Sequence, residues 1–245
     1  KFIAYSGSAG GNVQLFLWRM DDLTIRPLSG TSGAAYPVFS PDGQWIAYEN
    51  NGTLMKISVF GGASQKLCNV QGQSRGVTWA NDHTIMFGHV NRGILRVSAN
   101  GGELEPVTAL DSTNGEISHR FPQVLPDGNT VIFTAKQNSI SSFDDAMIIA
   151  QRLDTRERKV LLRGGSYGRY VPTGHLIYVR AGSILAVPFD AATLEIRGQP
   201  VPIEKGGWMN RASGNAYLAF SKNGALVFSP AEPPSFNNIL LSWID

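Results

Sequence analysis

A single cysteine, Cys68, stands in 245 residues. No internal disulfide can form, and no metal site built from several thiolates. One thiol suits a reducing cytoplasm and equally a bacterial envelope domain without disulfides, the compartment expected here. Excess charge is also missing: 21 Lys and Arg against 19 Asp and Glu leave a net charge of +2. That balance gives no electrostatic footprint for nucleic acid and no pull toward an anionic membrane surface. No run approaches the roughly 18 apolar residues of a spanning helix, so the segment is not expected to insert in a membrane. Histidine is scarce, and His83, His89, His119 and His175 form no metal-binding pair at helical spacing. Residue 1 is Lys, with no signal-peptide pattern behind it. The chain reads as an excerpt or a processed product.

What the chain does have is turns. Glycine is 27 of 245 and proline 13, while charged residues are only 16%. Many breakers and few charges predict short strands joined by tight turns. The turns recur. Ser40-Pro41-Asp42-Gly43 precedes Ile46-Ala47-Tyr48, and Leu125-Pro126-Asp127-Gly128 precedes Val131-Ile132-Phe133. Weaker copies centre on Asn81-Asp82, Thr173-Gly174 and Asn223-Gly224. Asp42, Asp82, Asp127, Thr173 and Asn223 lie 40, 45, 46 and 50 residues apart. A period of 40–50 with several β runs per unit is the mark of propeller blades.

Each unit reads as four strands. The strand after the turn is continuously apolar, as a strand between two sheets must be. The next alternates, as in Ile94-Leu95-Arg96-Val97-Ser98. The last is more polar. This predicts an all-β, six-bladed propeller of antiparallel four-stranded blades, at about residues 1–30, 35–69, 74–110, 118–164, 167–205 and 215–245. The first blade lacks an innermost strand. The last takes Tyr217–Phe220, Leu226–Phe228 and Ile239–Trp243 as its first three strands and lacks an outer one. Unpaired edges would favour an edge-mediated oligomer.

The Ser-Pro-Asp-Gly…Ile-Ala-Tyr…Gly61-Gly62 pattern resembles the TolB-like propeller repeat of bacterial proteins over nearly the whole chain. Ser118–Gly128, Gly168–Tyr178 and Leu185–Asp190 look like the propeller fused behind bacterial serine/threonine kinases of the eukaryotic type. The resemblance implies a sensor or docking module with a protein or peptide partner. No kinase signature is present.

Chemistry is sparse. Ser6-Gly7-Ser8-Ala9-Gly10-Gly11 has the wrong spacing for a hydrolase elbow and is read as a flexible loop. Asp144-Asp145, in a long hairpin insertion, reads as a solvated loop. Trp18, Trp45, Trp79 and Trp243 read as core, and Trp208 as a possible surface contact. The constellation of interest is at the start of the innermost strands. Arg75 and Arg120 each precede the turn aspartate of their blade by seven residues, and Arg169 precedes Tyr170 as Arg120 precedes Phe121. His119, Gln123, Arg211, Glu116, Trp208, Asn210 and Asn215 are expected at the same channel mouth. Arginine forks there suit a small anion or a peptide carboxylate. The alternative is that each arginine bridges neighbouring blades through carbonyls and aromatic rings. No cofactor or metal is expected, and the function expected is binding without catalysis. A channel enzyme of lactonase or lyase type, or a purely structural module, is the alternative.

Overall fold

The computed structural model describes residues 1–9, 11–80, 83–205, 209–221, 224–229 and 241–244. Sheet one contains β1 (Phe2–Ala9), β2 (Asn12–Arg19) and β3 (Ile25–Pro27). Sheet two is β4 (Ala34–Phe39), β5 (Trp45–Asn50), β6 (Thr53–Ser58) and β7 (Gln65–Asn69). Sheet three is β8 (Ser74–Trp79), β9 (Thr84–His89), β10 (Leu95–Ser98) and β11 (Glu105–Pro106). Sheet four is β12 (Glu116–Val124), β13 (Thr130–Gln137), β14 (Met147–Arg152) and β15 (Arg158–Arg163). Sheet five is β16 (Ser166–Val171), β17 (His175–Arg180) and β18 (Ser183–Asp190), with β19 (Glu195–Ile196) and β20 (Val201–Lys205) both on β18. A two-stranded sheet, β21 (Leu218–Phe220) and β22 (Leu226–Phe228), follows. The last strand, β23 (Leu241–Ile244), pairs antiparallel with β1.

The fold is thus an all-β propeller of antiparallel sheets. Five have four or more strands among the described residues. The pairing of β23 corrects two expectations. The stretch assigned as the third strand of the last blade instead completes sheet one, as its innermost strand. The first blade is therefore whole, and the ring is shut by the two ends of the chain. β23 packs beside β4 on one side and β21 on the other, which places it in the inner ring. Residues 239 and 240 lie outside the described set.

Sequence pattern explains the layers. β9, β13 and β17 are almost wholly buried. β10 alternates, with Leu95 and Val97 inside and Arg96 and Ser98 outside. Their apolar faces meet between sheets. Leu15 and Leu17 pack on Ile46 and Ile57, Leu54 on Ile85 and Phe87, Met86 on Phe133, and Ile132 and Ile148 on Leu176 and Val187. The turn aspartates act locally. Asp42 accepts from the Gln44 amide at 3.0 Å, and Asp127 from the amides of Asn129 and Thr130 at 3.0 and 2.9 Å. Gly43 and Gly128 both sit at φ 69°, which glycine tolerates best. The Asp82 and Asn223 turns lie outside the described residues.

Ser6–Ala9 is not a loop. It is the end of β1, paired in register with Asn12–Leu15. Gly7 leaves room for Tyr5 to stack on Phe16, ring centres 5.4 Å apart.

Candidate functional site

Four innermost strands carry the same irregularity. In each, two residues oppose one on the neighbouring strand: Tyr36-Pro37 against Tyr48, Arg75-Gly76 against Gly88, Phe121-Pro122 against Phe133, and Tyr167-Gly168 against Tyr178. These are β-bulges, which bend a strand and re-aim its side chains. Tyr36, Phe121 and Tyr167 sit at φ 54°, 53° and 61°. That region is costly for a bulky residue and persists only where packing imposes it. Phe121 and Tyr167 lie 5.1 Å apart and share one cluster with Leu218, and Tyr36 packs against it. These rings come from β4, β12 and β16, and Leu218 from β21, so they converge on the axis. Together they form an aromatic plug between the inner strands.

Arg75 stands where the other three bulges place an aromatic ring. Arg120 is one residue before its bulge and Arg169 one residue after. The three arginines therefore occupy three registers, and the plug divides them. Arg75 and Arg120 lie on the side of the strand starts, and Arg169 lies beyond.

Two glycines bring Arg75 and Arg120 together. A Cβ at Gly76 would stand 2.8 Å from the Phe121 Cα. One at Gly88 would stand 2.3 Å from the Arg75 carbonyl oxygen and 2.7 Å from the Arg120 Cα. Only with both side chains absent can β12 lie this close to β8 and β9. Arg120 is 5% exposed. Its Nε donates to Ser118 Oγ at 2.6 Å and its Nη1 to the Ser213 carbonyl at 2.7 Å, and it lies 4.6 Å above the Phe143 ring. Burial, aided by repulsion from Arg75, pulls its pKa down to about 10. Arg75 donates to the Ser74 carbonyl at 2.8 Å and to Gln73 Oε1 at 2.6 Å, while its buried Nε has no partner. Among the described residues neither arginine forms an ion pair. Glu49, within electrostatic reach of Arg75, instead accepts from the Gly52 amide at 2.5 Å. Tyr36 is partly buried and lies within electrostatic reach of both arginines. Burial pushes its hydroxyl up to about 12, which keeps it protonated.

Beyond the plug lies a cavity of about 620 Å³, within the size range of small-molecule sites. Trp79, Tyr170, Pro122 and Pro172 line it, with Gln123 and Arg169 as polar groups. Both are engaged between blades. Gln123 accepts from the Tyr170 amide at 2.7 Å and donates to its carbonyl at 3.1 Å. Arg169 donates to the Phe121 carbonyl at 2.7 Å and lies 4.1 Å over the Tyr167 ring. For these two the bridging alternative describes the observed bonds.

His119 does not reach the mouth. It is fully buried, 4.4 Å from the Phe133 ring. Its Nδ1 lies 2.7 Å from Thr108 Oγ1 and its Nε2 2.9 Å from Glu116 Oε2. The reason is alternation: Arg120 faces the channel, so its neighbour faces the gap between blades. Glu116 follows it there and also accepts from Arg158 at 2.6 Å and the Asp111 amide at 2.8 Å. Burial would raise the pKa of Glu116, but these bonds outweigh it and bring it down to about 2. Burial lowers that of His119 despite the carboxylate beside it, so the ring is neutral. The Thr108–His119–Glu116 row is buried, and at its outer end Glu116 borders a second cavity with Arg158 and Arg163.

Arg211 is exposed, its Nε 3.1 Å from Asp144, which also accepts from the Ala181 amide at 2.6 Å. Asp144 is thus a tie between blades rather than a solvated loop residue. Asn210 builds a turn, accepting from the amides of Ala212 and Ser213 at 3.0 Å each. An isolated antiparallel bridge joins Met209 to Ala216 across that segment. Phe143, carried there by the long insertion, was not visible as a site residue in the sequence. Trp208 lies outside the described residues, as does the side chain of Trp243.

No family model matches the chain, and no curated protein sequence does. Solved structures do. A TolB structure from Agrobacterium tumefaciens is 20% identical over 67% of this chain and 64% of its own, with a TM-score of 0.57. This chain thus spans less than two thirds of that protein. An oligogalacturonate lyase from Vibrio parahaemolyticus is 12% identical over 93% of this chain and 82% of its own, TM-score 0.55. A luciferin-regenerating enzyme is 10% identical over 79% and 67%, TM-score 0.61. At such identities the likeness establishes the fold alone, that of TolB-like propellers. It also overturns the expectation of a protein that is not an enzyme: the structures sharing this fold are largely enzymes. The likeness to kinase-fused propellers finds no support in them.

Proposed function

We propose that the axial channel is the working site of this protein and that Arg75 and Arg120 receive a ligand bearing a carboxylate or phosphate there. One observation carries the reading. Two guanidinium groups, that of the buried Arg120 and that of the half-buried Arg75, lie within electrostatic reach of each other with no carboxylate paired to either among the described residues. Buried charge of one sign is expensive unless a counter-ion joins it. An anion would relieve the repulsion that depresses Arg120 and would occupy the unpartnered Nε of Arg75. The half-buried Tyr36 hydroxyl adds a neutral donor. Arg169 belongs to the second chamber and would meet only a ligand long enough to pass the plug. We further propose that β21 and β22 are the inner strands of a sixth blade.

The neighbour named for oligogalacturonate, a chain of carboxylate-bearing sugars, makes uronides the first substrates to try. The test has two arms. Thermal midpoints are measured with acetate, galacturonate, phosphate and a peptide with a free carboxyl terminus. Turnover is followed with oligouronides and sugar lactones. The expected result is a rise in midpoint with at least one anion, lost in Arg75→Ala. Anions that shift neither protein, with Arg75→Ala merely less stable, would leave the arginines as bridges between blades and overturn the reading.

A further inference from the structure

We infer that the cavity around Arg169 is a binding site of its own, built for an aromatic monocarboxylic acid such as phenylacetate. This goes beyond the anion reading at Arg75 and Arg120 and stands on other residues. The ends of β8, β12, β16 and β21 wall the cavity, with the turn after β12. Pro126, Gly128 and Pro172 in that wall are exposed, so a ligand can enter from the strand ends and meet Arg169 without passing the plug. Most of the lining side chains are apolar. Trp79, Tyr170 and Phe220, each half-buried, bring aromatic rings to it from three different strands. Such surfaces pack well against another ring, flat or edge-on.

Arg169 is the one charged side chain in this wall among the described residues. It forms no ion pair among them. Its Nη1 spends both protons inside the protein, on the Phe121 carbonyl at 2.7 Å and the Gly168 carbonyl at 3.0 Å. Those bonds, and the Tyr167 ring 4.1 Å away, hold the guanidinium in place. Its Nε and Nη2 have no protein partner, and neither is shut off from water. Together they form one edge of the fork, whose parallel N–H bonds match the two oxygens of a single carboxylate. Charge narrows the choice further. One cation balances one negative charge. A phosphate dianion would leave charge over against apolar walls, and an amine would meet charge of its own sign. An acid with an aromatic body suits both the open edge of Arg169 and the rings around it.

The experiment uses the whole 245-residue chain. Calorimetric titration with phenylacetate, phenylacetamide and acetate is run on the wild type and on Arg169→Leu. Phenylacetate should bind the wild type about tenfold more tightly than its neutral amide, the worth of a hydrogen bond to a charged group. It should also bind about tenfold more tightly than acetate, the worth of burying the ring. In Arg169→Leu its affinity should fall to that of the amide. Equal affinity for acid and amide would overturn the site. So would phenylacetate binding that Arg169→Leu leaves unchanged, which would instead move the acid to Arg75 and support the anion reading there. If the leucine variant does not fold, a crystal of the wild type grown with phenylacetate decides. Carboxylate density on the Nε–Nη2 edge of Arg169 is expected, and phenylacetate bound elsewhere, or not at all, would overturn the inference.

Discussion

Glu116 and His119 carry the most legible consequence at the scale of the residue. The Nε2–H of His119 donates to Glu116, and the hydroxyl of Thr108, itself holding the Ile94 amide at 2.8 Å, donates to Nδ1. That arrangement needs the neutral ring. The folded pKa of His119 lies below its ordinary 6.5, so the unfolded chain takes up the proton more readily. Stability from this site is complete above about pH 6.5 and falls as the pH drops below it. Glu116 adds a second loss between about pH 4.5, its ordinary value, and about 2. Urea midpoints should therefore decline from pH 7.5 to pH 5, and His119→Gln should flatten that decline. Glu116→Gln should cost about 3 kcal/mol at neutral pH by stranding Arg158, measurable by the same titration. The burial of His119 was readable in principle: once Arg120 faces the channel, the residue before it cannot. The partners were not: Glu116 reaches His119 across the irregular register between Glu116 and Ser118 on the same strand, and Arg158 comes from 42 residues further along than Glu116.

At the scale of the strand, hydrophobic pattern and turn chemistry conveyed the elements well. Continuous apolar runs became the buried second strands, and Asp42 and Asp127 make the turns expected of them. The bulges did not appear in the pattern. Counting back seven residues from the turn aspartate equates Arg75 with Arg120, yet the bulges put them one register apart. The pairing of these two arginines depends on Gly88, which has no signature beyond being small. Gly88→Ala should destabilise the protein by about 3 kcal/mol, at the upper end for overpacking, because backbone blocks the methyl on two sides. Denaturant unfolding checks this. An unchanged midpoint would mean that β8 and β12 are free to separate, and the guanidinium pair with them.

At the scale of the whole molecule, composition and repeat length led to the propeller, and the missing strands at both ends were visible as a surplus and a deficit. Strand pattern could not tell which sheet the last strand would join, since any apolar run of four residues suits either. The observed choice makes Leu241–Ile244 the clasp of the ring. A chain ending at residue 240 should melt at a lower temperature over a broader range and tend to associate through the bared β1. Circular dichroism and light scattering would register both changes, and a truncated chain as cooperative and monomeric as the parent would argue against the clasp. The same pairing joins residues almost the full sequence apart, from Phe2 to Ile244. During synthesis the first sheet must wait, with one edge bare, until Leu241–Ile244 has been made. Contacts of such long range form late and slowly. The interval between making β1 and making β23 is thus when this sheet is most open to aggregation, and when a chaperone would have most to protect.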